Sequence, residues 1–311
     1  MKRCFELEKS GQLREGVSAA GCMQRVCQED GRRFYRANRF EEALGSLTQV
    51  EGLLRGSPSL ALDKGEVFYA LYRFDEALAK FDEVLDTFPQ SVRAAAQRAH
   101  TLIRLGRLPE ARSQFEKMLG FENSKAEFKG KGLRSNSYVT GNLAVLKLME
   151  GDVAGGKREF QHALELDPRN PLAHTYLDRM VPELEAKQVG PDGVAMIQVV
   201  FEELSFGRGN DAVKLIGEML KRWPNFRLGY VVAADTQRRY GNFYACEDTL
   251  TAALSRFPKD VKIQVERIRC TLMRKGVRST EALPDVADLK RLAITDPDDA
   301  LIQEILMLLE Q

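Results

Sequence analysis

Chemistry in this chain would have to start from three histidines, His100, His162 and His174, and five cysteines, Cys4, Cys22, Cys27, Cys246 and Cys270. Zinc needs four such ligands converging, and a nucleophilic centre needs a Cys or Ser beside a base. The histidines stand far apart with no cysteine at ligand spacing, and no CxxC pair occurs. Cys22 and Cys27 are close enough to share a metal or each other, but too few histidines remain to complete a zinc set. The odd cysteine count without a CxxC pair fits a reduced compartment. Cys246 reads as a small buried hydrophobe. No GxxxxGK[ST] phosphate loop, GxSxG elbow or HExxH pair is present. The glycine-rich Gly207–Asn210 falls where a turn is expected. The paired carboxylates Glu41 and Glu42 suit the first turn of a helix, where the dipole favours anions. No catalytic residue, metal ligand or cofactor is expected, and the chain reads as a non-enzyme.

The elements that position these residues repeat with a fixed period. Ala43, Ala77 and Ala111 stand 34 residues apart, and Ala212 and Cys246 resume that spacing. Four residues after the first three come the bulky Leu47, Phe81 and Phe115, then Val50, Val84 and Met118. Spacings of three and four put these groups on one helical face. A matching small site at Gly31, Gly65 and Ala99 predicts a preceding helix that crosses closely. Glycine there costs about 1 kcal/mol of helix propensity, so its reuse predicts a packing demand. Pro89, Pro168, Pro224 and Pro258 share one later position, where a missing N–H ends the second helix.

This small–bulky–proline pattern resembles the tetratricopeptide repeat, across residues 24–260 apart from two interruptions. Val200 at a small site, and Arg55 and Asn123 in place of the proline, depart from it. The resemblance implies an all-α, right-handed superhelical solenoid of antiparallel helix pairs. The expected order is an N-terminal helical cap at 1–23, repeats one to three at 24–125 and a flexible basic insertion at 126–136. Repeat four at 137–170, an extra helix and linker at 171–192, and repeats five and six at 193–260 follow. A degenerate seventh repeat at 261–297, its Pro284 in a long turn, and a capping helix at 298–311 complete the chain. In that cap, residues 307–309 are expected to pack back on the preceding pair.

Composition narrows the function. Hydrophobic residues make up 44% and charged residues 29%, with a net charge of +1. That balance disfavours bulk electrostatic capture of nucleic acid. No run reaches the roughly 18 apolar residues of a membrane span, and the first residues lack the apolar core of a secretory signal. A cytoplasmic location is expected on these grounds.

In stacked repeats of this kind the first helix of each pair faces a groove. The groove candidates are Arg25, Arg32, Tyr35 and Arg36 in repeat one, and His100 and Arg104 in repeat three. Repeat four adds Tyr138, Asn142 and Val145, repeat five adds Ile197 and Phe201, and repeat six adds Arg238 and Arg239. Arginine grips carboxylates bidentately. The expectation is therefore a scaffold or adaptor taking a peptide or helix of another protein, acidic or amphipathic in character. Asn142 is the expected contact to the ligand backbone. The alternative is a permanent accessory subunit of a secretion, pilus, transport or organelle-biogenesis complex. An RNA-binding helical repeat ranks lower, and a small-molecule substrate is disfavoured. The heat-shock tail clamp of tetratricopeptide co-chaperones is not matched, since Asp63 stands where that clamp needs an amide.

Overall fold

Small residues on one helix and bulky ones on the next decide how this chain folds, and both are read from the computed structural model. It describes residues 10, 19–51, 57–121, 127–128, 133–276, 283–295, 302–303 and 305–307. The chain divides into two bodies, one of Met1–Lys147 and Ala154–His174, the other of Leu148–Val153 and Thr175–Gln311.

The first body holds α1 (Ala19–Arg36), α2 (Phe40–Thr48), α3 (Pro58–Ala70), α4 (Phe74–Thr87), α5 (Val92–Arg104) and α6 (Leu108–Leu119). Then come β1 (Glu127–Phe128), β2 (Leu133–Arg134), α7 (Ser135–Met149) as far as Lys147, α8 (Val153–Leu166) from Ala154 and α9 (Pro171–Thr175) as far as His174. Each helix packs on the next, from α1 on α2 through to α5 on α6, and alternate helices α1, α3 and α5 also touch. Ala43, Leu47, Val50, Ala77, Phe81, Ala111 and Phe115 are all buried. A Cβ on Gly31 would stand 2.6 Å from Leu47 Cδ2, and one on Gly65 would stand 2.6 Å from Phe81 Cε1. The glycines therefore make the socket for the bulky residue of the partner helix.

Helix starts and turns recur with the same period. Ser57 and Ser91 cap α3 and α5 by accepting from Leu60 N and Ala94 N. Between paired helices, Asn38, Tyr72, Gly106, Gly151, Gly207 and Gly241 all take a left-handed backbone. Tyr72 holds φ +60 there without glycine's freedom.

The insertion contains an antiparallel ladder, with Glu127 opposite Arg134 and Phe128 opposite Leu133. Helix α7 begins at Ser135, inside the stretch expected to be flexible. Ser137 Oγ donates to Ala163 O, and Lys147 pairs with Glu159 at 2.8 Å, joining α7 to α8.

The second body begins its regular structure with a π turn at Tyr176–Met180 and α10 (Val181–Glu185). Pro182 in the first turn of α10 has no N–H for the Asp178 carbonyl, and the ladder widens just before it. Next come α11 (Pro191–Ser205), α12 (Gly209–Arg222), α13 (Arg227–Arg239), α14 (Phe243–Leu254), α15 (Val261–Lys275) and α16 (Leu283–Thr295), each packed on its successor. Pro284 lies in the first turn of α16 rather than in a long turn before it.

The ends differ from expectation in part. Most of the proposed cap at 1–23 lies outside the described residues. At the other end, Ile302 and Ile305 pack on Val265, Ile268, Leu272 and Leu289. Met307 is instead 57% exposed, because a helical turn carrying Ile302 and Ile305 inward points it away. Leu308 and Leu309 lie outside the described residues. Among the described residues the chain is an all-α helical repeat fold with one two-residue ladder.

Candidate functional site

The polar row on the first helices of the first body is built from below by buried acids. Asp63 and Glu66 on α3 are each 6% exposed. Asp63 accepts from Arg32 Nε at 2.8 Å and from Gln28 Nε2 at 2.8 Å. Arg32 Nη2 and Gln28 Nε2 also reach Ser59 Oγ, at 2.9 and 2.8 Å. Arg93 on α5 grips Glu66 bidentately, with 2.7 and 2.6 Å bonds. Burial pushes the Glu66 carboxyl above its ordinary range, even though Arg93 and Gln97 act to hold it down. The guanidiniums remain accessible, with side-chain exposures of 45% for Arg32 and 58% for Arg93. Tyr35 packs edge-on against Phe40, and burial followed by the Glu66 charge pushes its hydroxyl up.

Beside this row, Arg25 and Arg36 are exposed and are paired with no carboxylate among the described residues. Arg104 is half-buried, stacked 4.7 Å over Phe74 and 5.8 Å over Tyr72. His100 Nε2 lies 2.6 Å from the Tyr138 hydroxyl, and its ring meets Phe115 edge-on.

Several expected contacts prove to be core. Tyr138 is 8% exposed, Asn142 6%, Val145 3% and Ile197 0%. In α7 the residues 137–146 are buried without a break, the polar Ser137, Thr140 and Asn142 among them. Asn142 spends its Nδ2 donor on the Tyr138 carbonyl, so its reading as a ligand contact is corrected to a helix-internal bond. Phe201 is half-buried. Arg238 and Arg239 both pair with Asp235, Arg239 at 2.7 Å and 71% exposed.

The sequence sets Asp63 at a groove position, but only the register of stacked helices places Asp63 opposite Arg32 and Glu66 opposite Arg93. The cysteines also depart from expectation. Cys246 and Cys270 are joined as a disulfide, and Cys22 is disulfide-bonded too. Cys27 is a buried free thiol. The reading of the cysteines as a reduced set is corrected accordingly. Among the described residues no group of three or more His, Cys, Asp or Glu could hold a metal ion, and no helix is long and apolar enough to cross a membrane.

This geometry belongs with the family matches. Residues 30–92 and 68–130 each match a family model of the tetratricopeptide repeat. Tetratricopeptide repeats are therefore matched over residues 30–130 of the chain. Among solved structures it is similar to a tetratricopeptide repeat protein from Parabacteroides merdae, at 14% identity and TM-score 0.44, covering 94% of this chain and 100% of that one. It is also similar to PilW, a type IV pilus biogenesis factor, at 15% identity and TM-score 0.44, covering 78% and 96% of the two chains. Pseudomonas aeruginosa pilF is similar at 12% identity and TM-score 0.41, covering 93% and 99%. No curated protein matches the chain.

Proposed function

We propose that the chain is a non-catalytic interaction scaffold whose first body takes an acidic segment of another protein. The observation carrying this reading is the row of accessible guanidiniums on its first helices. Arg32 and Arg93 are held in place by buried acids while remaining 45% and 58% exposed. Arg25 and Arg36 stand exposed beside them. Arginines fixed in advance lose less side-chain freedom when a carboxylate arrives. Binding energy would then come from charge-assisted bonds made on a preformed face.

A fluorescent glutamate-rich peptide tests this by anisotropy at low salt. The double charge reversal Arg25→Glu with Arg36→Glu leaves both buried acid pairs intact. It should weaken the peptide at least tenfold, while a lysine-rich control peptide should not bind the parent chain. Equal affinity for parent and variant, or no acidic-peptide binding, removes the proposal.

A further inference from the structure

We propose that the Cys246–Cys270 bond is a redox-dependent staple that decides whether the last helices of the second body stay attached. The bond joins α14 to α15, with 24 residues of sequence separation between its cysteines. Both residues are sealed, at 1% and 0% exposure, within a cluster that includes Tyr230, Ala234, Leu250, Ala253 and Ile263. Next to it Arg274 of α15 pairs with Glu247 of α14 at 2.8 Å and lies over the Tyr244 ring.

The position gives the bond its consequence. A different side of α15 carries Val265, Ile268 and Leu272, on which Leu289 of α16 and Ile302 and Ile305 pack. Anything that frees α15 from α14 therefore frees what is packed on α15 as well. A cross-link that closes a loop of this length disfavours the detached state by a few hundredfold on chain entropy.

The chemistry balances as thiol–disulfide exchange. Formation takes two protons and two electrons from the paired thiols and gives them to the disulfide of a thiol oxidant, which leaves as two thiols. In reverse, one thiolate of a dithiol attacks either sulfur and forms a mixed disulfide. The second thiolate of the dithiol then displaces the protein sulfur, so the dithiol closes to a cyclic disulfide and both cysteines return as thiols. Because both sulfurs are sealed, attack waits for α15 to lift from α14. Reduction in turn makes that lifting more frequent, because the loop between the two cysteines is no longer closed.

Two measurements test the staple on the full chain. The first alkylates protein never exposed to reductant, in denaturant, and maps it by mass spectrometry. Cys246 and Cys270 should appear linked and unalkylated; alkylation of both sinks the proposal. The second follows hydrogen exchange before and after reduction with dithiothreitol. Amides of α15 and α16 should exchange about a hundredfold faster after reduction, with those of α11 and α12 unchanged. The Cys246→Ala, Cys270→Ala chain should exchange fast in α15 with or without dithiothreitol, which separates this bond from the one at Cys22. Unchanged exchange in the reduced parent, or an equal response in the double variant, overturns the inference.

Discussion

Removing Arg93 isolates the force that holds α3 to α5. Arg93→Ala deletes two charge-assisted bonds, at 2.7 and 2.6 Å, to a Glu66 that is 6% exposed. Stripping one partner from a buried pair costs about 3–5 kcal/mol when both groups are sealed. Arg93 is 58% exposed, so solvent screens the pair and the cost falls. A ceiling follows from proton uptake, because Glu66 can escape an unpaired charge by becoming neutral. Relative to its ordinary 4.5, pH 7 lies 2.5 units higher, and at about 1.36 kcal/mol per unit the charge penalty cannot exceed about 3.4 kcal/mol. At pH 5 the same ceiling is about 0.7 kcal/mol. We expect Arg93→Ala to lose about 2 kcal/mol at pH 7 and less than about 1 kcal/mol at pH 5. The sign is fixed by the direction of the shift. Burial raises the folded Glu66 value, so its favourable contribution is fully present below 4.5 and is lost as pH rises through the folded value. Losing Arg93 raises that value further and extends the loss to higher pH. Urea denaturation at the two pH values, with hydrogen exchange of α3 and α5 as a local readout, measures it. An equal loss at both pH values would refute the argument, since a penalty capped by protonation cannot be pH-independent. Adding Glu66→Gln should recover part of the pH 7 loss, because a neutral amide needs no counter-charge.

Two other perturbations test the packing and the caps. Gly65→Ala places a Cβ 2.6 Å from the sealed Phe81 ring. Overpacking of about 1–3 kcal/mol should outweigh about 1 kcal/mol of helix gain, so urea midpoints fall, and Phe81→Leu should cost less in that background than in the parent. Asp260 caps α15 at Ile263 N, 3.1 Å away, and pairs with Arg227. Burial alone would raise its carboxyl, but Arg227 and the Ile263 and Lys262 amides outweigh that and hold it below 3.8. Its contribution is present above 3.8 and lost as pH falls through the depressed value. Asp260→Ala should therefore cost about 1–2 kcal/mol in a denaturation at pH 7, and the difference from the parent should shrink in acid.

The sequence by itself determined the repeat. Ala43, Ala77 and Ala111 betray it because closely crossing helices tolerate no larger side chain there. Prolines and the glycines at 106, 207 and 241 mark its turns, although Asn38 and Tyr72 take the same left-handed backbone without that signal. Local chemistry suffices for such features, since each depends on one residue and its neighbours along a helix. The site was less legible. Of the residues expected to face a groove, Arg25, Arg32, Arg36 and Arg239 are exposed, whereas Tyr138, Asn142, Val145 and Ile197 are buried in the core. A helical position fixes a direction, and only the neighbouring helices decide whether that direction is solvent. The tertiary structure alone set Asp63 beneath Arg32 and Glu66 beneath Arg93, roughly one repeat away in sequence. It alone joined Cys246 to Cys270 across two helices. Both depend on which turn of one helix meets which turn of the next, and that register is set by the packing of side chains such as Phe81 and Leu250 against their neighbours.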